Sequence, residues 1–235
     1  MNTKKHFYLI VDTETTNQNL VADFGAVVVD RGGKVWAEFG ALLDDSDFHF
    51  ALGSKKKVQA KYNRLMELGY RCDATVAYIN NWLDFINKTF NPTLTAYNIG
   101  FDMGKCRNTG IDLDQFTDRF CLLKLAKTAI VETDEYAEWA HSNMMITLAL
   151  GKPSAKADAV AKYLAPDLPD EPHTALEDAR DYEAMILHYC INSPRSRAKI
   201  LKQGSGNPQS KWCWDHERWA RFEQSKKQAL LELRQ

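Results

Sequence analysis

The sequence predicts an α/β domain in which a mixed β-sheet, opened by a three-strand antiparallel meander, is flanked by helices. Three observations carry this. Tyr8-Leu9-Ile10-Val11 is an unbroken apolar run, the pattern of a strand buried on both faces. Phe24–Asp30 and Val35–Leu42 are two more strand-like runs, joined by the tight turn Arg31-Gly32-Gly33-Lys34. Beyond them, segments with apolar residues at helical spacing alternate with short extended runs. At 235 residues the chain can bury one full α/β core and carry a modest extension. Its 45% hydrophobic and 26% charged residues exclude extensive disorder. The start is polar up to His6 and the apolar run after it is short, so neither a signal peptide nor a membrane span is expected. Cys72, Cys106, Cys121, Cys190 and Cys213 are odd in number and form no CxxC pair. Neither a zinc site nor a disulfide framework is expected from them, and a reducing, cytoplasmic compartment is the simplest expectation.

Taken in order, the first strand ends in Asp12-Thr13-Glu14-Thr15-Thr16 and a polar turn at Asn17-Gln18-Asn19. Residues 44–71 are polar and then basic, with Lys55, Lys56, Lys57, Lys61 and Arg64 close together. Such a run reads either as a solvated face or as a basic loop that holds a phosphate backbone. From Ala74 to Asn87, Val76, Ile79, Leu83 and Ile86 fall at helical spacing. Residues 92–98 read as a short strand running into a loop, and Phe101-Asp102 opens a helix that ends near Gly110. Phe120 to Ala129 reads as a strand passing into helix, and 132–150 as helical with a break at His141-Ser142-Asn143. Ser154 to Leu164 is an amphipathic helix with Ser154 as its expected N-cap. Pro166, Pro169 and Pro172 make 165–172 an extended loop, and Ala175 to Cys190 is a helix with Leu176, Ala179, Met185, Ile186 and Tyr189 as its buried stripe.

Chemistry is concentrated in four acidic positions. Side chains two apart on a strand share a side, so Asp12 and Glu14 project together from the end of the first strand. Alone, that pair is equally a strand ending in a polar turn. Asp102 stands at the start of a helix that follows another strand, and Asp178 lies in the first turns of the helix after the proline loop, five residues beyond His173. Four carboxylates in one cleft repel each other and lose hydration, which favours a divalent cation between them. An all-oxygen donor set suits Mg²⁺ or Mn²⁺, and two such ions side by side are a known device for displacement at phosphorus.

Three motifs in order resemble the DEDD 3′–5′ exonucleases, in the branch that carries a histidine (DEDDh). Asp12-Thr13-Glu14-Thr15 is similar to the first motif, Asn98-Ile99-Gly100-Phe101-Asp102 to the second, and His173-Thr174-Ala175-Leu176-Glu177-Asp178-Ala179 to the third. The Phe24–Val28 strand is similar to the family's second strand, and the likeness covers roughly residues 6–190. The resemblance implies a ribonuclease H-like fold with a mixed five-stranded sheet. It implies that Asp12, Glu14, Asp102 and Asp178 hold two Mg²⁺ or Mn²⁺ ions and that His173 is the general base. Histidine suits that role because it titrates near neutrality. It further implies contacts to the 3′-terminal nucleotide from Thr13, Thr15, Thr16, Asn98 and Phe101; Phe101 stacks on a base or belongs to the core.

The activity so implied is hydrolysis of phosphodiester bonds at the 3′ ends of single-stranded DNA, releasing nucleoside 5′-monophosphates, with roles in proofreading or repair. The alternatives are an exoribonuclease or oligoribonuclease, since the motifs do not read the sugar, and an inactive nucleic-acid-binding module of the same fold. No protein partner is indicated. Residues 1–192 are expected to form the catalytic domain and 193–235 a basic, helical extension, because Ser193-Pro194 breaks the chain and ten Lys/Arg against four Asp/Glu follow from Arg195 onward. In that extension Lys211, Trp214, Arg218 and Trp219 are candidate contacts to a single strand. The competing reading docks Trp212, Trp219 and Phe222 onto the domain.

Overall fold

The structure is a computed structural model that describes residues 6–43, 55–147 and 151–194, with side chains from residue 60 onward in the second stretch. Strands β1 (Phe7–Thr15), β2 (Val21–Asp30) and β3 (Val35–Leu43) form the expected antiparallel meander. Asp30 caps the turn between the last two: its carboxylate accepts from the backbone N–H groups of Gly32 and Lys34 and from Trp36 Nε1. A short strand, β4 (Cys72–Ala74), pairs parallel with β3. β5 (Thr93–Ala96) lies parallel beside β1, and β6 (Arg119–Cys121) parallel beside β5. The order is therefore β4-β3-β2-β1-β5-β6, one strand more than expected. The addition is β4, whose three residues are too few to show a period-two pattern in the sequence.

The run in β1 is buried on both faces: Leu9, Ile10 and Val11 are each 0% exposed. Leu9 and Val11 pack with Phe24 and Val28 against helices α2 (Val76–Phe90) and α3 (Ile99–Thr109). Ile10, Val27 and Val29 face the opposite core, formed by helices α4 (Leu122–Ala126), α5 (Asp134–Ser142), α6 (Ala157–Leu164) and α8 (Ala184–Asn192). In α2 the expected Ile79, Leu83 and Ile86 are buried, and Thr75 caps the helix by accepting from Tyr78 N. α3 ends where Gly110 takes a left-handed conformation and donates back to Cys106 and Arg107.

Several expectations are corrected. The basic stretch contains a helix, α1 (Lys55–Glu67), which excludes the loop reading and leaves that of a solvated face. Lys, Gln, Ala, Arg, Leu and Glu all favour helix, but the stretch shows no wide apolar stripe to announce it. Ser154 is not the N-cap of α6; Lys156 holds that position and its N–H bonds back to Ser154 Oγ. Residues Ile146–Thr147 and Lys152–Pro153 pair as two short antiparallel strands (β7, β8) where helix was expected for the first of them. The long C-terminal helix is broken into α7 (Ala175–Glu177), a π-helical stretch Asp178–Glu183, and α8. A π turn takes more residues than an α turn and rotates everything after it. Leu176, Ala179 and Ile186 are buried as expected, but beyond the π turn Leu187, Cys190 and Ile191 fill the core while Tyr189 is 44% exposed.

Cys72, Cys106, Cys121 and Cys190 are free thiols. Among the described residues no helix is long and apolar enough to cross a membrane. The candidate contacts Lys211, Trp214, Arg218 and Trp219, like the rest of 195–235, lie outside the described residues.

Candidate active site

The site forms at the carboxyl ends of the parallel neighbours β1 and β5, where the strand order reverses from β4-β3-β2-β1 to β5-β6. Such a switch opens a crevice beyond the strand ends. Asp12 and Glu14 point to the face of the sheet on which α7 lies. Asp12 pairs with Gly25, and Gly25 with Gly40, giving a row with no side chains on two of three strands. A Cβ at Gly25 would stand 2.1 Å from the Ala175 carbonyl carbon and 2.2 Å from Leu176 N. The missing side chains let the backbone of α7 rest directly on the sheet, which brings Asp178 up to Asp12 and Glu14. One ligand atom each from Glu14, His173 and Asp178 lies within 4.8 Å of the others. Asp12 and Asp102 stand outside that tightest group.

Asp102 arrives from α3 and is 2% exposed; Thr13, pointing to the other face of β1, donates from Oγ1 to its Oδ1 at 2.8 Å. Thr13 is itself 5% exposed, so its hydroxyl serves Asp102. Thr16 accepts from the N–H groups of Gln18 and Leu20 and shapes the turn after β1, and Thr15 sits at a register shift following Glu14. Asn98 adopts φ 80° just before α3, and Phe101 is half-buried beneath Lys105 Nζ, 4.8 Å from the ring centroid.

His173 also has a left-handed backbone, φ 53°, which costs a non-glycine residue roughly 1–2 kcal/mol. Its side chain is 68% exposed and stands 4.0 Å from the Glu171 carboxylate. Immediately after it, Thr174 N donates to Asp178 Oδ2 and Ala175 N to Asp23 Oδ2, both at 2.9 Å.

A buried ion network that the motifs do not predict supports this segment. Arg71 donates from Nε and Nη2 to the two oxygens of Asp23 at 2.7 and 3.1 Å, and from Nη2 to Glu177 at 2.6 Å. Tyr62 Oη donates to Asp23 Oδ2 at 3.0 Å. The network ties β2, α1 and the residue before Asp178 together with charge-assisted bonds. Glu183 is a further acid missed in the sequence: it is 3% exposed, in the last position of the π turn, and accepts from Tyr97 N at 3.2 Å. The sequence signal for Asp23 was a lone carboxylate inside the apolar run Val21-Ala22-Asp23-Phe24. For Glu183 it was an acid five residues after Asp178 on the same helix.

The electrostatics show how crowded the site is. Burial pushes Asp102 up to about 8, against the hydrogen bond from Thr13. Burial, with Glu171 and Glu14 nearby, pushes Asp178 up to about 8. Glu14 rises to about 7 through burial and the neighbouring Asp23. Asp12 and Glu183 are both raised far above the carboxylate range, first by burial and then by the other acids. Lys61 opposes this, lowering both Glu14 and Asp178. Among the described residues, the buried side-chain polar atoms left without a hydrogen-bond partner are Asn98 Oδ1, Thr174 Oγ1 and Asp178 Oδ1. All three belong to the second and third sequence motifs. An unsatisfied carboxylate oxygen beside other acids is the environment in which a divalent cation removes both the repulsion and the missing bond.

No family model matches the sequence, and no curated protein is detectably similar to it. Solved structures do match. A product-bound exonuclease I superposes with a TM-score of 0.51 at 16% identity, over 85% of this chain and 46% of that one. An exonuclease I with SSB and the inhibitor CFAM gives 0.51 at 17% identity, over 84% and 44%. The zinc-bound E. coli exonuclease I–ssDNA complex gives 0.52 at 15%, over 84% and 42%. The chain thus spans less than half the length of these neighbours. At such identities the likeness establishes the fold alone: this chain shares the fold of part of exonuclease I.

Proposed function

We propose that this chain is a metal-dependent 3′–5′ exonuclease of the DEDDh type that shortens single-stranded DNA and releases nucleoside 5′-monophosphates. The observation that carries the reading is that Glu14, His173 and Asp178 each offer a ligand atom within 4.8 Å of the others beyond the end of β1, with Asp12, its pKa raised first by burial, close enough to Asp102, Asp178 and Glu14 for each to raise it further. The structural neighbours include single-stranded DNA complexes of exonuclease I, which agrees with the substrate class.

The donors fit Mg²⁺ or Mn²⁺: in the tightest group, carboxylate oxygens of Glu14 and Asp178, one of them unpartnered, stand with the imidazole of His173, which the reading keeps as base rather than ligand, and no thiol belongs to the group. Asp12, Glu14, Asp102 and Asp178 would hold two such ions, whose positive charge neutralises the acids and polarises the scissile phosphodiester. An unprotonated ring nitrogen of His173 takes a proton from the attacking water. The water oxygen bonds to phosphorus while the bond from phosphorus to O3′ breaks. The departing O3′ takes a proton from solvent water to become the 3′-hydroxyl of the shortened strand, and the terminal nucleotide leaves with its 5′-phosphate. Thr13 fixes Asp102, and the Arg71 network fixes the start of α7, so both sides of the cleft are preorganised. Residues 1–192 form the catalytic domain in this reading, and 193–235 an appended basic extension that contacts the strand upstream.

The test is degradation of single strands of one sequence, as DNA and as RNA, labelled at either end. With Mg²⁺, a 5′-labelled DNA strand should shorten to a ladder, while a 3′ label should leave at once as mononucleotide. A ladder from the 3′-labelled strand, or faster loss of RNA than of DNA, contradicts the assignment of polarity or of sugar.

A further inference from the structure

We infer that Lys61 is the positioning residue of His173, gripping the loop from α1 so that the imidazole stands over Glu14 and Asp178. Its meaning for catalysis rests on the exonuclease reading above. Lys61 Nζ lies 2.7 Å from the carbonyl oxygen of Pro172 and 2.7 Å from that of His173. An ammonium has three donors, and two are spent on these consecutive carbonyls.

The loop needs an outside grip. Pro166, Pro169 and Pro172 supply no backbone N–H, and the segment's own backbone bond, Leu168 N to the Ala165 carbonyl, lies at its start, away from His173. His173 then takes a left-handed conformation that a non-glycine residue keeps only where its surroundings over-determine it. On the far side those surroundings are Asp178 and Asp23, which accept from Thr174 and Ala175. On the near side Tyr182 Oη holds the Pro169 carbonyl, and Lys61 holds the two carbonyls next to the imidazole, those of Pro172 and His173. Since the His173 side chain is 68% exposed, packing does little to aim it, and its direction follows from its backbone. Lys61 is itself placed by its neighbour: Tyr62 is 2% exposed and its hydroxyl is keyed into Asp23. One helix turn thus links the buried ion network to the loop.

The experiment uses the full chain with Lys61→Met, which keeps the aliphatic stem and removes the donors, and Lys61→Arg, which restores donors. The first readout is NMR of ¹³C-histidine-labelled, metal-free protein, with the His173 ring signal assigned by its disappearance in His173→Gln. In Lys61→Met that signal should shift or broaden while the other histidines stay put, at a melting temperature close to the parent's. The second readout is steady-state kinetics. For Lys61→Met, kcat should fall roughly 10- to 100-fold, the cost of a misplaced catalytic group, with KM for a single strand little changed. Lys61→Arg should recover most of that fall. An unmoved His173 signal in Lys61→Met overturns the inference. A raised KM that weakens with salt, at an unmoved His173 signal, does so too and makes Lys61 a phosphate contact. If the parent protein hydrolyses no nucleic acid, the exonuclease reading falls, and the NMR comparison alone decides whether Lys61 holds His173.

Discussion

Replacing Asp178 by Asn should make the metal-free protein more stable near neutral pH, although it removes a proposed metal ligand. Asp178 is 4% exposed, and burial with Glu171 and Glu14 nearby holds its pKa at about 8. The native chain therefore keeps a proton that the unfolded chain releases near pH 4. A carboxyl whose pKa is raised by folding stabilises the native state fully below its unfolded value, and that contribution disappears as pH rises toward the folded value. At pH 7 the cost is about 1.4 kcal/mol for each of roughly three pH units, on the order of 4 kcal/mol. Asp178→Asn never carries that cost. Its amide oxygen can still accept from Thr174 N, and its NH₂ group faces neighbouring carboxylates where Asp178 Oδ1 has no partner. For a chain of this size about 2–4 °C accompany each kcal/mol, so on the order of 10 °C separates the two proteins. In EDTA, the melting temperature of Asp178→Asn should exceed the parent's at pH 7–8 and meet it near pH 4. With saturating Mg²⁺ the order should reverse, because binding stabilises only the protein that holds the ion. A variant that melts below the parent in EDTA at pH 8, or a gap that does not change with pH, refutes the crowded-carboxylate account.

Three other outcomes follow from the same geometry. Chelation should stop hydrolysis and Mg²⁺ or Mn²⁺ restore it, whereas Ca²⁺ should raise the melting temperature without restoring activity; full activity after exhaustive chelation sinks the metal-dependent reading. Gly25→Ala should cost at least about 1–3 kcal/mol in urea unfolding and weaken the Mg²⁺-induced rise in melting temperature, because its Cβ would stand 2.1 Å from the Ala175 carbonyl carbon and push α7 off the sheet. Deleting 193–235 should weaken binding of long single strands far more than it slows cleavage of a dinucleotide. The slope of log affinity against log salt should flatten by about 0.7 for each phosphate that the shortened chain leaves unneutralised, and an unchanged slope with a lower melting temperature assigns the extension to packing instead.

The sequence made one kind of information legible and hid another. Asp12 and Glu14 could be placed because a buried strand and a period of two determine where both side chains point. Asp102 and Asp178 followed because each sits at the start of a helix after a strand or proline loop. The supporting residues were not legible, since their roles arise from contacts between distant segments. Arg71 lies 48 positions from Asp23 and 106 from Glu177. Gly25 reads as an ordinary strand residue until the backbone of α7 is laid on it. The π turn at Asp178–Glu183 escaped because α-helical spacing was assumed through it, and so Tyr189 was expected in the core. α1 lacked the apolar stripe by which helices are recognised, so Lys61 was legible only as part of a basic run and not by its contacts to the Pro172 and His173 carbonyls.

The central claim is that the carboxylates at the end of β1 perform 3′–5′ hydrolysis, and Asp12→Ala tests it most directly. Parent and variant should be compared on one 5′-labelled DNA single strand with Mg²⁺, after circular dichroism has shown that both are folded. The account predicts a progressive ladder for the parent and an intact strand for Asp12→Ala over the same time. An Asp12→Ala protein that degrades the strand at the parent's rate contradicts it.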